Sequence, residues 1–314
     1  MTTVLITHPA FLQHDTGEGH PERSDRMRAI DRALQDPIFS ALSRREAPLR
    51  TDDEIYITLT HRKNYVENLS QLTEQVSEGY RHIDSDTVVS PGTWEATRRA
   101  VGAGLDAVDL VVSKQASNAF CQVRPPGHHA ESQRAMGFCL FNNIAIAAHY
   151  AREKHGLERM AVVDFDVHHG NGTQEIFWSD KNLFYGSTHQ MPLFPGTGAL
   201  QETGVGNIFN APLRAGNGRE HFEEAFRDRI LGPLNNFAPD IVLISAGFDA
   251  HHRDPLGGLR LTEDDFRWAT EALAEVARRH ANGRIVSMLE GGYDLQGLAQ
   301  SVAAHVTALM QAGA

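Results

Sequence analysis

Ala161-Val162-Val163-Asp164-Phe165-Asp166-Val167-His168-His169-Gly170-Asn171-Gly172 is the stretch that organises the rest of the chain. Apolar, β-branched residues run into acids and histidines and stop at glycines, the pattern of a buried strand whose C-terminal end enters a site. Asp164, Asp166 and His168 stand at i, i+2 and i+4. Alternate residues of a strand share a face, so the spacing predicts that all three side chains point the same way. Two carboxylates and an imidazole at a buried strand end are costly unless something positive lies among them, and a divalent metal is the simplest solution.

Around this strand the pattern alternates. Val4–Ile6 is a short strand, and the polar loop 13–23 leads to an amphipathic helix capped by Ser24, with Met27, Ile30 and Leu34 on one face. Ile55–Leu59 has the composition of a second strand. Residues 93–112 form a helix and Asn118–Val123 a strand that runs into Arg124-Pro125-Pro126-Gly127-His128-His129-Ala130. A helix over 142–155, the strand 160–165 and a helix from Gly172 come after it. Next are strands over 182–186 and near Ile208, a helix over 219–231, a strand over 241–245, a helix over 263–280, a strand over 284–289 and a terminal helix over 295–310. The expectation is a single-domain α/β fold over residues 1–314, a mostly parallel sheet with helices on both faces. In such sheets function gathers beyond the strand C-termini. Ser245-Ala246-Gly247-Phe248-Asp249-Ala250-His251 and Glu290-Gly291-Gly292-Tyr293 also succeed apolar runs, so four loops converge on one predicted cleft.

Asp166, His168 and Asp249 offer a metal two oxygens and one nitrogen with a position left open, as catalytic zinc is held. Two carboxylates offset a 2+ charge, and a neutral histidine suits zinc or Fe(II) better than magnesium. Hydrolysis of an amide also needs a group that takes a proton from water and returns it to the departing amine. His128 and His129 suit that task, with Asp164 and Asn171 available for their outer nitrogens. Tyr293, on a glycine turn, is placed to donate its hydroxyl to a developing oxyanion.

Six motifs together resemble the zinc-dependent histone deacetylase family: residues 124–130, Gly137-Phe138-Cys139, 164–172, Phe194-Pro195-Gly196-Thr197-Gly198, 245–250 and 290–293. They come in the family's order, and their wording is closest to the class II and bacterial amidohydrolase branch. The resemblance implies an eight-stranded arginase/deacetylase-like sheet and a Zn2+ site (Fe2+ being an alternative in cells) on Asp166, His168 and Asp249. It implies His129 as general base and acid, with His128 beside it as electrostatic support held by Asp164, and Tyr293 as the carbonyl-polarising hydroxyl. Gly137, Phe138 and Phe194 would line a narrow tunnel, and Leu256 stands where a polyamine-selective relative carries a glutamate. A structural K+ is expected near Asp164, Asp166, His168 and Ser187, the inner-channel arginine at Arg23, and the polar rim residue near Val89-Ser90. Asn171 replaces the aspartate of some relatives, which should make His129 less basic.

The implied substrate is an acetylated lysine side chain of a peptide or protein. A small acetylated amine such as an acetylpolyamine is the alternative, and a catalytically silent acyl-lysine binder is the rival from another class. A two-manganese ureohydrolase would want more acidic ligands than these motifs offer. Ordinary packing competes for Phe138 and Phe194, and a surface role for Arg23, whereas His169, His189, His251 and His252 are expected to be structural or loop residues. A formal charge of −11 over 314 residues argues against nucleic acid as partner. The two cysteines, Cys121 and Cys139, belong to no CxxC pair and suit a reducing compartment. With no signal-peptide pattern at Met1–Val4 and no membrane-length apolar run, the expected location is the cytoplasm. Relatives form monomers, dimers and tetramers, and homo-oligomerisation stays open.

Overall fold

A computed structural model of the chain describes residues 2–313. Among the described residues there are ten strands: β1 (Thr3–Thr7), β2 (Ser43–Glu46), β3 (Arg81–His82), β4 (Val88–Val89), β5 (Asn118–Cys121), β6 (Met160–Asp164), β7 (Leu183–Gln190), β8 (Ile208–Leu213), β9 (Ile241–Ala246) and β10 (Ile285–Leu289). The helices are α1 (Asp25–Ala33), α2 (Asp53–Thr60), α3 (Lys63–Glu74), α4 (Thr93–Val112), α5 (Asn143–His155), α6 (Asn171–Phe177), α7 (Arg219–Ala225), α8 (Gly232–Phe237), α9 (Glu263–His280) and α10 (Leu295–Ala312).

Eight strands form one sheet in the order β2-β1-β5-β10-β9-β6-β7-β8, and every pairing in it is parallel. The expected sheet is therefore present and its strands are wholly, rather than mostly, parallel. α4 and α5 pack together against it, and α1, α9 and α10 form a second packed group. The central strands need no polar face because both sides are covered: Ile241, Val242, Leu243, Ile244 and Ala246 of β9 are all fully buried. The edge strand β2, Ser-Arg-Arg-Glu, is exposed along its length, and its charges discourage pairing with another chain. The order also brings β5, β10, β9 and β6 side by side, so four strands distant in sequence end next to one another.

Several expected elements differ. Ile55–Leu59 lies in helix α2, where Asp53, Ile57 and Thr60 are buried at i, i+4 and i+7 while Ile55 and Leu59 are 62% and 47% exposed. Its β-branched residues favour a strand, but the three acids Asp52, Asp53 and Glu54 lead a helix start. Ser24 sits at the N-cap of α1 without capping it, since its hydroxyl oxygen accepts from Arg28 instead. The helix predicted over 219–231 widens into a π-helix over Phe226–Leu231, and β7 runs on to Gln190. Helix α3 and the β3–β4 hairpin had no expected counterpart. α9 opens with a capping box between Thr262 and Asp265 and ends in Arg278, Arg279 and His280, so both ends complement its dipole.

Leu243→Ala and Ile57→Ala should each cost about 2–5 kcal/mol, whereas Ile55→Ala should stay within about 0.5 kcal/mol. Denaturant midpoints at unchanged slope measure this, and a large loss for Ile55→Ala would contradict the helical register of α2.

Candidate active site

Strand β6 stops at Asp164, and side-chain-to-backbone bonds fold the residues beyond it. The Asp166 amide donates to Asp164 Oδ1 (3.1 Å), the His168 amide to Asp166 Oδ1 (2.9 Å) and the Val167 amide to Asp249 Oδ1 (2.7 Å). These turns correct the expected strand geometry: Asp164 leaves the group and turns to His128, while Asp166 and His168 meet Asp249 from the end of β9. His168 Nδ1 lies 3.2 Å from Asp166 Oδ1 and 3.0 Å from Asp249 Oδ2, and ligand atoms of the three buried residues lie within 4.8 Å of one another. Two ligands on bonds of about 2.0–2.1 Å at the tetrahedral angle stand about 3.3 Å apart, so the cluster fits a zinc-sized ion. The charge also asks for one: burial and the neighbouring Asp166 charge push the Asp249 carboxyl up to about 7. Gly291 donates its amide to Asp166 Oδ2 (2.8 Å), and a Cβ there would run into both carboxylates. Glycine is required by that approach.

The loop after β5 brings the histidine pair. Asp164 Oδ2 receives His128 Nδ1 at 2.9 Å and the Tyr185 hydroxyl at 3.0 Å. His129 Nδ1 lies 2.9 Å from Asn171 Oδ1, whose amide nitrogen donates to Glu131 Oε1 at 2.8 Å. That second bond fixes the Asn171 amide, so His129 Nδ1 carries the proton and Nε2 keeps its lone pair. The two rings are driven apart electrostatically. Burial opposes charge on His128, but Asp164 and Asp166 outweigh it and push the imidazole up to about 10. Burial, then the positive His128 and His168, hold His129 well below the usual histidine range. One ring is an imidazolium and its neighbour a free base. Glu290 steadies the loop by accepting from the Gly127 and His128 amides at 2.6 and 3.1 Å.

A cavity of about 270 Å³ leads to this cluster, with His129, His168 and Tyr293 inside it. Phe138, Phe194, Leu193 and Leu256 make its apolar wall. Phe194 meets the His129 ring edge-on at 5.1 Å, and Phe138 meets Tyr293 at 5.8 Å. Gly137 takes φ +56°, and a Cβ there would strike the His129 ring. Tyr293 is set by its backbone: its amide and that of Asp294 donate to Asp254 Oδ2 at 2.6 and 3.2 Å, and Asp294 caps α10 through Gly297. Burial and the Asp249 charge hold the Tyr293 phenol well above its ordinary value, so it stays a proton donor. Ser187 pairs with Asp164 across β6 and β7, beside the group where it was expected.

Two expected placements are corrected. Arg23 is half exposed and faces Asp25 at 3.7 Å. The interior arginines are Arg26 and Arg124, both fully buried. Arg26 is on the inward face of α1 with Met27 and Ile30, donates through Nε to Gly292 O (2.7 Å) and also bonds Glu290 O, with its guanidinium 5.1 Å from the Tyr293 ring. Val89 and Ser90 are likewise buried, and Ser90 accepts from the Asp15 amide. The polar residue at the tunnel is Asp86, in the turn between β3 and β4, whose carbonyl bonds His20 Nε2 at 3.0 Å. Its acid-rich turn, Asp84-Ser85-Asp86, was the available signal.

The parallel sheet thus gathers, beyond its strand C-termini, a buried Asp-His-Asp cluster able to hold a metal and a pair of histidines beside it. The Histone deacetylase domain profile matches residues 20–309, and the chain belongs to that family. It is 36% identical over 289 residues to the histone deacetylase-like amidohydrolase of Pseudomonas aeruginosa, covering 90% of this chain and 75% of that one. A probable deacetylase of Archaeoglobus fulgidus is 37% identical over 307 residues, covering 95% and 83%. The crystal structure of the HDA15 HD domain matches with a TM-score of 0.92 and 34% identity, covering 99% of this chain and 88% of that one.

Behind Tyr293, Glu22 binds Arg124 through both carboxylate oxygens (2.5 and 2.8 Å) and Arg26 at 2.9 Å. Burial opposes the Glu22 charge, but the two arginines outweigh it and hold the carboxyl far below its usual range near 4.5. A depressed carboxyl contributes stability that is complete above the unfolded value and lost as pH falls below it. Glu22→Gln should therefore cost about 3–5 kcal/mol at pH 7 and flatten the loss of stability below about pH 4.5. Chemical unfolding at a series of pH values tests it, and equal stability of variant and wild type at pH 7 would contradict the account.

Proposed function

We propose that the protein is a zinc-dependent amidohydrolase that removes acetyl, or a related acyl group, from acetyl-lysine-type amides, with the whole of residues 1–314 as one catalytic domain. The observation that carries this is one apolar-walled cavity ending on the Asp166–His168–Asp249 cluster with a neutral His129 and the Tyr293 phenol beside it. Held by Asp166, His168 and Asp249, zinc (or Fe2+ in cells) supplies Lewis acidity for the amide carbonyl and the attacking water. His129 Nε2 takes the proton as water adds to the carbonyl carbon, and returns it to the amine nitrogen as the carbon–nitrogen bond breaks. Tyr293 donates to the carbonyl oxygen as negative charge develops there. The His128 imidazolium, held by Asp164, favours that negative charge without moving its proton. Phe138, Phe194 and Leu256 suit the apolar stem of a neutral acyl-lysine.

Asp86 at the tunnel supports a second reading. Its carboxylate can accept a peptide N–H, or it can meet the second ammonium of a small acetylated amine. Leu256 offers no such acid. The register of Ser187 with Asp164 is compatible with a structural K+ beside Asp164, Asp166 and His168. Two unpaired, buried cysteines suit the cytoplasm.

Turnover of a fluorogenic acetyl-lysine peptide by metal-stripped protein, with zinc added back and N-acetylputrescine alongside, tests the reading. Zinc should restore peptide cleavage, and His129→Ala or Tyr293→Phe should lower kcat by about 10²–10⁴-fold with little change in folding. Cleavage of acetylputrescine alone would favour the small amine, and cleavage of neither with metal bound would favour the silent binder.

A further inference from the structure

Phe194 stands over the site, its ring 5.1 Å from that of His129 and 6.3 Å from that of His168, yet it is 41% exposed. Burial alone does not hold a wall so open. The segment 191–207 that carries it, between β7 and β8, contains neither helix nor strand. What fixes it is a chain of polar side chains that begins at the residue after metal-site His168. His169 Nδ1 lies 2.8 Å from Thr197 Oγ1, and His169 Nε2 lies 3.1 Å from Gln174 Oε1. Gln174 Nε2 donates to Glu202 Oε2 at 2.6 Å, and Glu202 accepts the Gly198 and Ala199 amides at 2.9 and 3.1 Å. His189 Nε2 bonds Gly198 O at 2.9 Å.

The directions of these bonds are determined. Glu202 is a carboxylate, so Gln174 turns its NH₂ towards it and its oxygen towards His169. His169 Nε2 must then donate, and Nδ1 accepts from the Thr197 hydroxyl. Gly198, at φ +92°, lies so close to His169 and His189 that a Cβ would strike both rings. Asn210 completes the closure by donating to Gln174 Oε1 at 2.7 Å and to Glu202 O at 3.2 Å. None of these polar groups lines the tunnel, and of the wall residues on segment 191–207, Leu193 and Phe194, it is Phe194 that stands nearer in sequence to Thr197 and Gly198 and over the His129 and His168 rings.

We propose that His169, Gln174 and Glu202 form a latch that grips Thr197 and Gly198 and thereby positions Phe194, setting the affinity of the tunnel for the substrate's apolar stem. They are positioning residues, and the proposal rests on the acyl-lysine-type reading of the tunnel. A loosened latch lets the aromatic wall sample positions that do not cover the stem. Ground state and transition state then lose the same contact, so KM rises while kcat holds.

The test uses the full-length, zinc-loaded protein with Thr197→Val, Thr197→Ser, Glu202→Gln and Phe194→Ala. Thr197→Val and Glu202→Gln should speed amide hydrogen exchange over residues 191–200 by about tenfold or more, with exchange in β6 and β9 unchanged. KM for the acetyl-lysine peptide should rise about five- to tenfold at a kcat within about twofold, and Thr197→Ser should restore both. In a Phe194→Ala background, Thr197→Val should change KM by less than about twofold. Unchanged exchange and KM in both latch variants would overturn the proposal, as would an undiminished effect of Thr197→Val without Phe194. A wild-type protein that turns over no acyl-lysine substrate would overturn the functional reading instead, and the exchange measurement would still decide the latch.

Discussion

The structure turns on the cost of burying Asp164, Asp166 and Asp249 together, each fully removed from solvent within a single cluster of strand ends. Unpaired carboxylates in such surroundings do not stay ionised. Each has a different remedy. Asp164 takes the His128 imidazolium and the Tyr185 hydroxyl. Asp166 accepts the His168 and Gly291 amides, and Asp249 accepts the Val167 amide. His168 Nδ1 lies between Asp166 and Asp249, and a 2+ ion in its proton's place would offset their negative charge on the side that faces the tunnel.

That arrangement depends in turn on strand order. β5, β10, β9 and β6 lie side by side although β5 and β10 are far apart in the chain, and each contributes a loop. The loops are then tied to one another rather than left to the sheet. Glu290, from the end of β10, holds the backbone of the histidine loop after β5, and Asp254, beyond β9, holds the backbone of Tyr293. Arg26 reaches from α1 to the carbonyls of Glu290 and Gly292. Side chains that touch no substrate therefore fix the geometry of those that would.

Much of this was legible because the chemistry-bearing residues come directly after apolar runs. A run such as Ile241–Ile244 declares a strand, and the polar residues beyond it fall at a site by the topology of parallel sheets. His128, His129, Asn171, Asp249 and Tyr293 are legible in that way. Asp164 meets His128 as expected, but the single face shared by Asp164, Asp166 and His168 does not form, because alternation stops at Asp164, the strand's last residue, and Asx-type turns take over. Arg26 is missed in favour of Arg23 because helical phase, not proximity to the loop, decides which arginine turns inward. Asp86 and α2 depend on tertiary partners: a rim position exists only when the hairpin meets loop 13–23, and Ile57 is apolar-faced only against its neighbouring helices. The latch on Phe194 has no local signal, since it joins the end of β6 to a loop beyond β7.

Metal binding tests the charge argument at the centre of this account most directly. Calorimetric titration of metal-free protein with zinc should show one site per chain, accompanied by a rise in Tm, and Asp249→Asn should abolish both while the variant remains folded. Zinc binding and stabilisation that survive Asp249→Asn, or a folded wild-type protein that takes up no zinc, would contradict it.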